Sequence, residues 1–213
     1  MADKSLSGGN PERGWGQMFP GFLTPDIHVD NRALNGRSTR SFRNEGHWEL
    51  VRKKLRKGDY VFIQFGHNDQ KADTARHSDV ETDYKINLGK YIDETRKVGA
   101  IPVLFTPIVR RKFNPNGTLA DTHGKYTDAV RTVAKEKQVL LIDLNKMSAG
   151  LLEKYGPEKS TSLFVWVEPG IYAALPKGKQ DNTHLNVRGA RLIARMVAEA
   201  MDYSCSCSSY RDV

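Results

Sequence analysis

Two short stretches carry side chains that could do chemistry. The first is Asp181-Asn182-Thr183-His184. A carboxylate three residues ahead of a histidine can fold back and accept the imidazole Nδ1–H, which fixes the tautomer and leaves Nε2 as a base. The competing reading is a plain helix N-cap, with Asp181 or Asn182 as the cap and His184 merely exposed. The second stretch is Gly66-His67-Asn68-Asp69. Asn68 offers an amide donor, and Gly36, in the turn Asn35-Gly36-Arg37-Ser38, offers a backbone N–H. Two such donors from nearby strand ends could bind a developing oxyanion. Taken singly, each is also an ordinary turn residue.

The elements that must position these residues follow from apolar patterning. Tyr60 to Phe65 is a β-rich apolar run between Gly58-Asp59 and Gly66. It reads as a strand buried on both faces, as in a parallel sheet. In open α/β sheets ligands bind beyond the carboxyl ends of strands, which is where Gly66 to Asp69 falls. Further strands are expected at Ile101–Pro107 and Val139–Leu144, and a short one at Ile27–Asn31. Helices are expected over residues 14–23, 41–55, from Tyr84 to near Gly99, 124–137, 146–155 and 187–201. Trp48, Val51 and Leu55 mark the inner face of the second, with Leu50 close to it. Residues 156–179 read as a long aromatic loop. Alternating strands and helices predict one α/β domain over 1–201, a three-layer doubly wound parallel sheet. The Ser/Cys-rich stretch 202–213 reads as a disordered tail.

The chain has 213 residues, 38% hydrophobic and 27% charged, enough for one sizeable core. No apolar run is long enough to span a bilayer, and Met1 to Ser5 lacks the apolar segment of a signal peptide. The two cysteines, Cys205 and Cys207, imply no disulfide framework. The net charge of +8 favours an acidic partner, with a solvated basic surface as the alternative. No zinc-finger, helix-turn-helix or RNA-binding pattern favours nucleic acid, and a nucleic-acid reading would rest on charge alone.

Gly36-Arg37-Ser38, the Gly66 to Asp69 box and Asp181 to His184 resemble three of the four blocks of the SGNH (GDSL-type) hydrolases. The resemblance is closest to the rhamnogalacturonan acetylesterase family. It extends to Gly14-Trp15-Gly16-Gln17, Tyr60 to Lys71, Thr106-Pro107 with Arg110-Arg111, Thr122-His123-Gly124 with Tyr126, and Leu185. It implies the flavodoxin-like SGNH fold, with Gly36 and Asn68 as oxyanion donors, His184 as general base and Asp181 orienting it. It implies acetyl removal from acetylated acidic polysaccharide, pectin and especially rhamnogalacturonan, with no cofactor, no nucleic acid and no membrane. Such proteins are commonly exported, so an extracellular or periplasmic place is implied.

The family's fourth block, Gly-Asp-Ser at the end of the first strand, has no counterpart in these residues. The expectation is a truncation before Met1 that removes both that strand and the nucleophilic serine, and a chain that folds poorly without it. Ser5 and Ser7 lie in a loop that nothing aims, and Ser38 is the better placed substitute. A non-catalytic carbohydrate-binding remnant is the alternative. Arg110, Arg111 and Lys112 could hold uronate carboxylates, with a solvated basic loop as the competing reading. His67 and Trp166 join Arg110 and Arg111 as candidate substrate contacts, while Trp15 and Trp48 read as core. His123 reads as a helix-start residue. His67, Asp69, Asp181 and His184 are all metal-ligand types, but the Asp-x-x-His spacing is explained without a metal and none is expected.

Overall fold

A computed structural model describes residues 1–204; the expected tail, with Cys205 and Cys207, lies outside the described residues apart from its first three positions. The chain forms two compact units. One comprises residues 36–108 and 123–146, the other, among the described residues, 1–35, 109–122 and 147–204.

The first unit is built on a parallel sheet. Strand β1 (Tyr60–Gln64) pairs with β2 (Ile101–Phe105), which pairs with β3 (Leu140–Ile142), so β2 is central. Pro102 to Phe105 are all buried, as a strand covered on both faces requires. β1 departs from expectation. Only Val61 and Ile63 are buried, while Phe62 and Gln64 are half-buried, because β1 is paired on one side only among the described residues. β3 is shorter than the apolar run because Asp143 leaves the ladder. Its Oδ1 accepts the Lys146 N–H and caps the following helix.

Helices α4 (Lys85–Lys97) and α5 (Lys125–Glu136) pack on the sheet and on each other. Their apolar faces supply Leu88, Tyr91, Ile92, Ala129, Val130 and Val133 to the core. The expected helix over 41–55 is two short ones, α2 (Thr39–Asn44) and α3 (His47–Arg52). Gly46, at φ +77°, breaks them, a conformation that strains any residue with a Cβ. Trp48 is buried and its Nε1–H donates to Glu94 at 2.6 Å; Leu50, two residues on in the same helix, is instead 56% exposed.

In the second unit, α1 (Trp15–Met18) and a 3-10 turn over Phe19–Phe22 form the expected first helix. Both pack on the terminal helix α7 (Val187–Ser204), and Trp15 is buried as expected. Helix α6 (Leu144–Lys159) kinks at Gly156, just before Pro157. The stretch 156–179 is not one loop, since β4 (Phe164–Val167) lies within it and pairs antiparallel with β5 (Lys179–Leu185). The expected strand Ile27–Asn31 has no ladder partner among the described residues, although Ile27 and Val29 alternate with exposed neighbours.

Candidate active site

The Asp181–His184 segment owes its shape to a break in the β4–β5 ladder. Phe164 faces Leu185 and Trp166 faces Gln180, which leaves Val165 alone opposite Asp181–His184. Released from pairing, this stretch bulges, and a polar side chain can bond its own backbone. Asp181 Oδ1 accepts the N–H groups of Thr183 at 2.7 Å and His184 at 2.8 Å. Asp181 Oδ2 accepts from His184 Nδ1 at 2.7 Å. The helix-cap reading is thereby excluded for Asp181, because its oxygens serve the histidine's own turn. The imidazole keeps 41% of its side-chain surface accessible, and Nε2 has no hydrogen-bond partner among the described residues.

Asp181 has a second charged neighbour that local sequence does not reveal. Lys179 Nζ lies 2.9 Å from Asp181 Oδ2 and 2.7 Å from Glu12 Oε1, and Lys4 Nζ lies 3.1 Å from Glu12 Oε2. Glu12 and Lys179 are 167 residues apart in sequence, so no spacing rule could have joined them. Burial alone would raise the Asp181 carboxyl. Bonds from the His184 ring and backbone, Lys179 and Thr183 overcome that and hold it well below the usual carboxylate range. A lowered folded-state pKa stabilises above the unfolded value of about 3.9, and that stabilisation is lost as pH falls through and below it. Asp181→Asn is therefore expected to lower the unfolding midpoint more at pH 7 than at pH 3. Thermal melts at the two pH values check this; equal losses would show that the ionised carboxylate is not what matters.

Glu12, Asp181 and His184 bring metal-ligand atoms within 4.8 Å of one another. The Lys179 ammonium already lies between the two carboxylates, so a cation would have to displace it. This grouping differs from the four residues suggested by type, because Asp69 spends its oxygens on Thr39 and Gly66.

Arg111 is built into the support of this segment. Its backbone N–H donates to Asn182 O at 2.8 Å, Nη1 to Asn182 Oδ1 at 2.7 Å, Nε to Ser160 Oγ at 3.0 Å, and Nη2 to Pro157 O. Its guanidinium stacks over Trp166 at 4.8 Å, and Trp166 Nε1–H also donates to Asn182 Oδ1. Arg111 and Trp166 thus hold the residue between the Asp and the His. Arg110 is half-buried and donates to Thr122 O, and burial lowers its guanidinium pKa.

The other group of site residues lies in the parallel-sheet unit. Gly36 is exposed at φ +75°, and an added Cβ would meet nothing within 4 Å, so the turn and not space requires glycine. Asn68 follows β1 and donates one Nδ2 hydrogen to Arg37 O at 3.2 Å. That bond ties Asn68 to the Gly36 turn and leaves its other Nδ2 hydrogen available. His67 packs edge-on against His123, ring centroids 4.4 Å apart. His123 does lie just before α5, but it is buried, with ring nitrogens 2.8 Å from Gln70 Oε1 and 3.0 Å from Ile108 O.

None of the serines weighed as substitutes is poised to attack. Ser38 is fully buried and caps α2, accepting the Ser41 N–H at 3.1 Å and donating to Ser41 Oγ. Ser5 and Ser7 bond each other at 2.7 Å on the surface.

Residues 2–192 match the model of the GDSL-like Lipase/Acylhydrolase family. The chain is 41% identical over 192 residues to rhamnogalacturonan acetylesterase RhgT of Bacillus subtilis (strain 168), covering 90% of this chain and 82% of that protein. It is 34% identical over 189 residues to the probable rhamnogalacturonan acetylesterase YesY of the same organism, covering 88% and 82%. The solved structure of Bacillus subtilis YxiM matches with a TM-score of 0.79 at 27% identity, over 94% of this chain and 52% of that one. The acetylxylan esterase Axe2 of Geobacillus stearothermophilus, solved as a catalytic mutant, shares the fold at a TM-score of 0.65 and 20% identity, over 88% and 80%.

An α/β fold with a parallel sheet flanked by helices, matched in this way, places the chain among the ester hydrolases of the SGNH class. The chain belongs to the GDSL-like Lipase/Acylhydrolase family.

Proposed function

We propose that this chain serves a carbohydrate acetylesterase acting on acetylated rhamnogalacturonan or related pectic polymers. The observation that carries the chemistry is the His184 Nδ1–Asp181 bond of 2.7 Å, which holds the imidazole with Nε2 unbonded by any described residue. The names of the two relatives above 30% identity support the substrate class. The net charge of +8 suits an anionic polymer. An exported location suits a substrate of that size.

A serine Oγ attacks the acetyl carbonyl carbon while His184 Nε2 takes its proton. The Gly36 N–H and the Asn68 amide bind the tetrahedral oxyanion. Collapse breaks the ester C–O bond, and the sugar hydroxyl leaves with the proton returned by His184. Water, deprotonated by the same nitrogen, then releases acetate from the acyl-serine. No Gly-Asp-Ser tripeptide occurs in the 213 residues, and the reading assigns the serine to such a segment outside them. The same absence favours one alternative, a protein that binds the polymer without cleaving it.

Expression of the genomic reading frame, with any in-frame upstream codons retained, tests both readings. The expected result is acetate release from acetylated rhamnogalacturonan with a kcat/KM about tenfold or more above that for acetylated xylan. Polymer binding without acetate release would favour the binding module. Equal rates on both polymers would overturn the pectic assignment.

A further inference from the structure

Asp69 is a buried carboxylate that the acyl-transfer chemistry does not use. It is fully buried, and no cation pairs with it among the described residues. Burying an unpaired charge is costly unless several donors converge on it. Here three do. Oδ1 accepts from Thr39 N–H at 2.8 Å and from Thr39 Oγ1–H at 2.5 Å, and Oδ2 accepts from Gly66 N–H at 3.1 Å. Thr39 closes the turn that begins at Gly36, and Gly66 opens the turn that holds Asn68. An asparagine in this place would have one acceptor oxygen and could not serve both turns.

The surrounding bonds lock the same junction. Tyr91 Oη–H donates to Thr39 O at 3.0 Å, and Asn87 Nδ2–H donates to Thr39 Oγ1 at 3.2 Å. Ser78 N–H donates to Asp69 O at 3.0 Å, and Tyr126 Oη–H donates to Ser78 O at 2.9 Å. Gly66 has little freedom to move, since a Cβ there would meet Pro107 Cγ at 3.1 Å and Tyr84 Oη at 3.3 Å.

We propose that Asp69 is a positioning residue whose carboxylate fastens the Gly36–Thr39 turn to the Gly66–Asn68 turn and so fixes the angle between the two oxyanion donors. The proposal rests on the acetylesterase reading for its kinetic consequence, but the clamp itself is a property of one unit and is testable without turnover. A donor displaced by about 1 Å can cost on the order of 10²-fold in rate.

The test is Asp69→Asn, with Thr39→Val as a milder variant that keeps the Thr39 N–H bond and loses the hydroxyl. In the 213-residue chain, amide hydrogen exchange at Thr39 and Gly66 is expected to quicken while Val103 and Leu104 of the central strand are unchanged. In the active gene product kcat should fall about 10²-fold for Asp69→Asn and about tenfold for Thr39→Val, with KM within about twofold. In an Asn68→Ala background Asp69→Asn should cost less than about threefold, because its effect runs through that donor. Unchanged exchange at Thr39 and Gly66, or the same loss in both backgrounds, would overturn the clamp. Absence of any acetyl ester hydrolysis in the wild type would instead count against the acetylesterase reading, and exchange would still decide the clamp. If Asp69→Asn does not fold, Thr39→Val carries the kinetic readouts, and a kcat equal to wild type in it would overturn the clamp.

Discussion

Replacing His184 by alanine is expected to lower kcat for acetyl esters by roughly 10²–10⁴-fold in the active gene product, the range spanned by general acid–base groups. The fold should survive the change. Asp181 would keep its bonds to the Thr183 and His184 backbone N–H groups and to Lys179, none of which needs the imidazole. The loss should therefore fall on kcat and leave KM for a small acetyl ester nearly unchanged. Initial rates on p-nitrophenyl acetate and on acetylated oligosaccharide check this, with a thermal melt as control. Near wild-type turnover by the folded variant would remove His184 from the mechanism.

Asn68→Ala is expected to lower kcat by about 10²–10³-fold, corresponding to about 2.7–4 kcal/mol of transition-state stabilisation for one oxyanion donor. The Gly36 N–H remains in the variant, which is why the loss should not be total. Asn68 also bonds Arg37 O, so some of the effect is a looser Gly36 turn. Asn68→Asp separates the two contributions. It places negative charge where the oxyanion develops, and should be at least as slow as alanine while keeping the side chain's size. A kcat within a fewfold of wild type for both variants would show that the developing charge is stabilised elsewhere.

The central strands and helices were legible in sequence because each buries an apolar face of regular period. Ile101 to Phe105 and the Leu88, Tyr91, Ile92 stripe of α4 are of this kind. β5 was not legible, since Lys179–Leu185 is almost wholly polar and buries only Leu185. It pairs with β4 despite its composition, and its bulge is what shapes the Asp181 turn. The Asp-x-x-His pair could be read locally because both partners lie within one turn. Glu12 and Lys179 could not, because only the folded chain brings them together. Arg111 was readable as a basic residue near the site, but its commitment to Asn182, Ser160 and Pro157 depends on two distant segments, residues 157–160 and Asn182. The broken helix at Gly46 was signalled by its glycine, and the periodicity of Trp48, Val51 and Leu55 masked that signal.

In the proposed mechanism His184 and Asn68 act on one and the same acyl transfer. The most direct measurement is kcat/KM for acetyl ester hydrolysis by the wild type, His184→Ala, Asn68→Ala and the double variant. Removing the base leaves the catalysis that the oxyanion donors supply, so the double variant should fall at least about tenfold below His184→Ala. A double variant no slower than His184→Ala, or an Asn68→Ala variant as fast as the wild type, would show that Asn68 does not stabilise the transition state that His184 serves.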